Sequence, residues 1–209
     1  MKQEQMPWPE PGQVQGNQSD RRTEPRHLTV YRVAMVRTAR DVGLWRVKNM
    51  SDRGMLLESG AAVVPNEKLE VALSETIILS GRVVWSAGDQ RGIAFDKPID
   101  AGDILRQLAA ERESDSYRPL RLQVRVPAKL LVETEERKVI VSSLSQRGAG
   151  FAYEGELREA ALVSLALPDG VWRQGNIRWL RNGNAGLCLA SAFALAELES
   201  VRALNPPPA

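Results

Sequence analysis

The chain of 209 residues is 43% hydrophobic and 26% charged, with a formal net charge of +2, the balance of an ordinary soluble globular protein. So small a charge excludes a general polyanion binder, which needs a strong basic excess or stripe, and any basic site must be local. No apolar run reaches the roughly 18–20 residues of a spanning helix, and the amino terminus lacks the basic-then-apolar order of a secretory signal, so a cytoplasmic protein without membrane insertion is expected.

Residues 1–20 are rich in Pro, Gln, Gly and Asn. Pro7, Pro9 and Pro11 block helix and ladder pairing, and there is almost nothing apolar to bury, so a disordered tail is expected. Trp8 is its one large apolar group and reads as an idle exposed residue or an anchor. Arg21-Arg22-Thr-Glu-Pro-Arg26 follows. From Val30 the pattern turns to β-branched runs broken by turn residues: 30–37, 44–48, 55–58, 68–73, 77–85 and 92–95, six short antiparallel strands that suggest a barrel or sandwich. Asn49-Met-Ser51-Asp-Arg-Gly54 lies between the second and third. Leu69, Val71 and Leu73 alternate with Glu70, Ala72 and Ser74, the period of a strand with one wet face.

After Pro98, Asp100 can cap a helix running to about Arg112, with an acid at its start and apolar residues at helical spacing. A polar linker, 111–116, precedes a second set of strands near 124–132, 138–142, 150–153, 162–167, 172–180 and 186–190. A helix over about 194–204 is stopped by Asn205-Pro-Pro-Pro, and 205–209 form a short tail.

The two sets are a repeat. At a constant offset of 94, Gly54, Gly81, Trp85 and Gly92 fall on Gly148, Gly175, Trp179 and Gly186. Two repeats of about 90 residues are domains, not solenoid units. The expected fold is all-β with terminal helices: two tandem six-stranded antiparallel barrels, 21–113 and 114–204, each folding by itself and closed by a short C-terminal helix.

The order Arg22-x-x-x-Arg26, strand, Asn49-x-Ser51-x-x-Gly54, and then a barrel with a late Gly81-x-Val-x-Trp85 strand resembles the PilZ domain family over about residues 20–112. Each motif alone is weak, but both in order before the matching barrel pattern are fairly specific. The resemblance implies binding of the bacterial second messenger cyclic di-GMP. Arg21, Arg22 and Arg26 would meet its phosphates and guanine edges, while Asn49, Ser51 and Gly54 would hold a guanine against the barrel. Residue chemistry agrees. A guanidinium forks onto two phosphate oxygens, or onto O6 and N7 of guanine, as a lysine cannot. Asn49 offers an acceptor and two donors, Ser51 adds a hydroxyl, and Gly54 permits a positive φ or a close approach. Pro25 restrains the arginine segment, which would act as a lid. The bland reading is solvated arginines followed by a turn whose side chains bond their own backbone.

The repeat serves as a control. At the same offset Arg22 becomes Ser116, Arg26 becomes Leu120 and Asn49 becomes Ser143, while Ser51 and Gly54 persist as Ser145 and Gly148. A one-residue slip would set Arg121 in the second arginine place and Tyr117 in the first. The second domain is therefore expected to have lost ligand binding and to serve as a packing partner, dimerisation surface or docking platform.

Trp85 and Trp179 read as core, because both repeats keep them. Cys188, the only cysteine, reads as a small buried strand residue. His27, the only histidine, lacks the company needed for a metal site or a triad. The expectation is a non-enzymatic cyclic di-GMP receptor with no cofactor. Its further partner would be a protein or a second copy of the chain, not a nucleic-acid polymer. The rival is a ligand-independent adaptor built from two barrels. A barrel for single-stranded nucleic acid ranks last, lacking exposed aromatics along a basic groove.

Overall fold

A computed structural model describes residues 27–114 and 117–204, with side chains described from residue 32 onward. The tails, the arginine motif, Trp8 and the side chain of His27 lie outside the described residues. The first barrel is built from β1 (His27–Thr38), β2 (Val42–Ser51), β3 (Gly54–Glu58), β4 (Lys68–Ala72), β5 (Ile78–Ala87) and β6 (Gln90–Phe95). After α1 (Ala101–Glu113), β7 (Leu122–Val132), β8 (Glu135–Ser145), β9 (Gly148–Ala152), β10 (Leu162–Ala166), β11 (Trp172–Arg181) and β12 (Asn184–Leu189) build the second. The strand orders β1-β2-β3-β6-β5-β4 and β7-β8-β9-β12-β11-β10 are equivalent, and each sheet is antiparallel and closed on itself. Closure leaves no free edge.

Period-two alternation fills each interior. Ala34, Val36, Leu69, Val71 and Val83 point into the first barrel, while the outer faces of β2 and β3 carry Arg46 and Lys48 paired with Glu58. Asp100 caps α1, its carboxylate accepting the Asp103 N–H at 2.7 Å, and Ala101 and Leu108 are buried against the barrel. Far from the β2–β3 turn, buried Arg91 donates to the carbonyls of Gly88, Gln90 and Ala61.

The single helix expected over about 194–204 is not formed. A 3-10 turn (Leu195–Glu197) and a four-residue α2 (Val201–Leu204) replace it. The carbonyls between them are used elsewhere: Leu198 O accepts the Leu44 N–H at 2.8 Å, and Glu199 O accepts Trp45 Nε1 at 3.0 Å. Ser200 starts α2 by accepting the Ala203 N–H, and its hydroxyl donates to Asp41. The C-terminal segment of the second barrel thus clasps β2 of the first.

Apolar packing joins the barrels as well. Leu44 belongs to the core cluster of the second barrel, with Val33, Met35 and Val42 packed against it beside Leu195 and Val201. The halves therefore share an apolar seam.

Candidate functional site

Asn49, Ser51 and Gly54 come together at one end of the β2–β3 hairpin. Asn49 pairs with Leu56 and Ser51 with Gly54, and β1 enters beside them, His27 opposite Met50 and Leu28 opposite Asn49. Asn49 and Ser51 are half-buried. The Asn49 amide has no side-chain hydrogen bond among the described residues, leaving an acceptor and two donors available. The Ser51 hydroxyl donates to the Gly54 carbonyl at 3.3 Å, and Ser145 does the same to Gly148 at 3.4 Å. A bond kept in both barrels serves the hairpin first. Gly54 is not at positive φ. It is needed because β6 runs so close that a Cβ would strike the Ile93 carbonyl. Arg21, Arg22 and Arg26 lie outside the described residues.

Residues not singled out in the sequence anchor this turn. The Asp52 carboxylate accepts the Ala101 N–H of α1 at 3.0 Å. Asp52 O and Arg53 O accept the N–H groups of Ile99 and Phe95, each at 2.9 Å. The second barrel repeats the backbone pair with Gln146 and Arg147. An acid directly after Ser51, inside the motif, was the available signal for the helix contact.

Trp85 and Trp179 are not core; each is 43% exposed. A bulge in β5 pairs Val83 with Ile93 but Trp85 with Gly92, so Val84 and Trp85 both face outward. The indole lies over Gly92, where a Cβ would collide with its pyrrole edge. Since Gly92 pairs with Leu56 and Leu56 with Asn49, Trp85 belongs to the same outer row as the polar site. It offers a flat aromatic surface there. Cys188 is also exposed, because alternation turns inward its neighbours Leu187 and Leu189.

Strand pairing also revises the repeat. Leu122 pairs with Leu144 and Gln123 with Ser143, as His27 pairs with Met50 and Leu28 with Asn49. Residue 27 therefore corresponds to 122, an offset of 95 at the start of the strand and the same one-residue slip that, in sequence, sets Arg121 rather than Leu120 in the second arginine place. The cause is a longer irregularity in β1, where Leu28 to Arg32 runs opposite Asn49 to Val47. In the copy the shorter Gln123 to Val126 runs opposite Ser143 to Val141. The second barrel thus keeps one arginine of the motif.

Residues 20–111 match the family model of the PilZ domain. No curated protein sequence matches the chain. Among solved structures, the chain is similar to Borreliella burgdorferi PlzA in complex with c-di-GMP, with 13% identity, TM-score 0.36, and coverage of 77% of this chain and 81% of that one. It is similar to Bacillus subtilis inhibitor of motility (MotI/DgrA), with 12% identity, TM-score 0.31, and coverage of 80% and 91%. It is also similar to Escherichia coli YcgR in complex with c-di-GMP, with 11% identity, TM-score 0.28, and coverage of 78% and 75%.

Proposed function

Since residues 20–111 belong to the PilZ domain family, we propose that this chain is a non-enzymatic receptor for cyclic di-GMP and that the first domain, 21–113, carries the ligand. The observation that carries the reading is one outer row of the first barrel: Asn49 with its amide uncommitted, then Leu56, then the exposed indole of Trp85 laid over Gly92. A guanine needs both elements, a π surface under its face and amide groups at its edge. Arg21, Arg22 and Arg26 precede the strand that enters beside Asn49. They supply the planar forks for phosphate oxygens or for O6 and N7. The residues of this chain bind and orient the ligand, and no covalent step is assigned to them.

A calorimetric titration of the intact chain with cyclic di-GMP tests the proposal, with Arg22→Ala/Arg26→Ala as the paired variant. Saturable binding lost in the double variant supports it, and no heat from the native chain removes it. A second reading, a ligand-independent adaptor, is favoured by a groove of about 1300 Å³ on the second barrel. Leu130, Ile140, Tyr153, Leu157 and Trp172 are among its lining residues. The same titration separates the two readings.

A further inference from the structure

One end of the second barrel is open where the same end of the first is plugged. The two registers match position for position: Ala34 pairs with Trp45 as Ala128 pairs with Val139, and Leu57 pairs with Arg91 as Phe151 pairs with Ala185. In the first barrel Trp45 and Arg91 are 2% and 5% exposed. The Trp45 indole donates to the Glu199 carbonyl at 3.0 Å, and Arg91 donates to the carbonyls of Gly88, Gln90 and Ala61, so the two long side chains close that end. In the copy Phe151, larger than Leu57, makes up for the loss of Arg91 to Ala185. Val139 has no such compensation, because its partner Ala128 is no larger than Ala34. A groove of about 1300 Å³ opens there, with Leu130, Val139, Tyr153, Leu157 and Trp172 among its lining residues.

Apolar walls in contact with water are stabilised by an apolar group that covers them, in proportion to the area covered. The first barrel shows which group suits this place: an indole. The chain has one to offer. Trp8 is the one large apolar group of residues 1–20 and stands in Pro7-Trp8-Pro9-Glu10-Pro11. Prolines cannot donate to a sheet ladder, and proline-rich segments dock instead by laying side chains into grooves with aromatic walls. Tyr153 and the exposed Trp172 supply such walls. Lys138 on the rim is exposed and has no ion pair among the described residues, and Glu10 offers it a carboxylate two residues from Trp8. Length is sufficient. Extended, the chain from Trp8 to His27 spans about 60 Å, against a radius of gyration of about 17 Å for a compact protein of this size.

We propose that Trp8 of the same chain seats its indole in the open end of the second barrel, against Val139, Leu157 and Trp172, with residues 7–11 laid across the rim. The seat uses none of the residues assigned to the nucleotide.

The experiment is fluorine NMR of the intact chain labelled with 5-fluorotryptophan, which gives one resonance for each of the five tryptophans. Trp8→Phe identifies the resonance of Trp8, and a labelled peptide of residues 1–20 gives the position of an unseated indole. In the intact chain the Trp8 resonance should be displaced from the peptide position. It should stay displaced on about tenfold dilution, since a tethered segment meets its seat at an effective concentration of about millimolar. Val139→Phe refills the barrel end and should return the resonance to the peptide position. Trp172→Ala removes an exposed wall and should move it back in the same direction, and it decides the matter should Val139→Phe fail to fold. A Trp8 resonance at the peptide position in the intact chain overturns the proposal. Displacement unchanged in the folded variants overturns it as well, because the indole then sits elsewhere. Displacement lost on dilution assigns the seat to the tail of a second copy and overturns docking within the chain. The nucleotide reading is tested by calorimetry on Arg22 and Arg26, so either can fail alone.

Discussion

Asn49→Ala separates binding from folding with little ambiguity. The amide makes no side-chain hydrogen bond within the described structure and stands half-exposed on the outer face of β2, so its removal leaves no buried group stranded. The stability change should stay within about 0.5 kcal/mol, as for surface positions without a special role. Against a guanine edge the same amide can make two hydrogen bonds, each contributing about 0.5–1.5 kcal/mol net. Their loss is about 1–3 kcal/mol, or about 5- to 150-fold in dissociation constant. Calorimetric titration with cyclic di-GMP and a urea melt of the same preparation read the two quantities. Ser51→Ala is the internal contrast, because it removes the hydroxyl bonded to the Gly54 carbonyl and should cost about 1 kcal/mol of stability. Undiminished affinity in Asn49→Ala would refute the site. So would a drop in its midpoint as large as that of Ser51→Ala, which would mean that the amide holds the hairpin.

Gly43→Ala should destabilise the chain by about 2–4 kcal/mol, because its Cβ would collide with the Glu199 carbonyl, forcing the clasp off Leu44 and Trp45 with loss of two hydrogen bonds and some buried apolar contact; an unchanged urea midpoint speaks against the clasp. Gly92→Ala should lift the Trp85 indole, alter tryptophan emission and weaken cyclic di-GMP binding by about 1–3 kcal/mol, the range for base stacking; full affinity would remove Trp85 from the site. Arg22→Ala and Arg26→Ala should each cost about 1.5–3 kcal/mol of binding as charged hydrogen bonds, and equal affinity in the double variant would end their assignment.

The barrels were legible because their signals are local: alternation in 68–74, glycines and tryptophans at constant spacing, Asp100 before an amphipathic stretch. The misread positions share a different cause. Counting by twos from buried Val83 puts Trp85 inside, and only the bulge that spends Val84 and Trp85 against one partner residue turns the indole out. The same kind of irregularity, one residue longer in β1 than in β7, shifted Arg26 onto Leu120 instead of Arg121. Period two does contain the answer for Cys188, because the inward Leu187 and Leu189 flank it. Segment 194–204 has helical composition, yet its middle carbonyls bond to β2, a tertiary contact that local propensity cannot express.

β2 carries Asn49 and Ser51 near one end and Gly43, Leu44 and Trp45, held by the C-terminal clasp, near the other. Two occupancies of one short strand cannot be energetically private if either displaces it. Whatever factor the nucleotide applies to docking of residues 198–200, docking must return to the affinity for the nucleotide. A protein that captured the C-terminal segment would then tune the proposed nucleotide affinity without approaching Asn49 or Trp85, and the sign of that tuning would be measurable from either end.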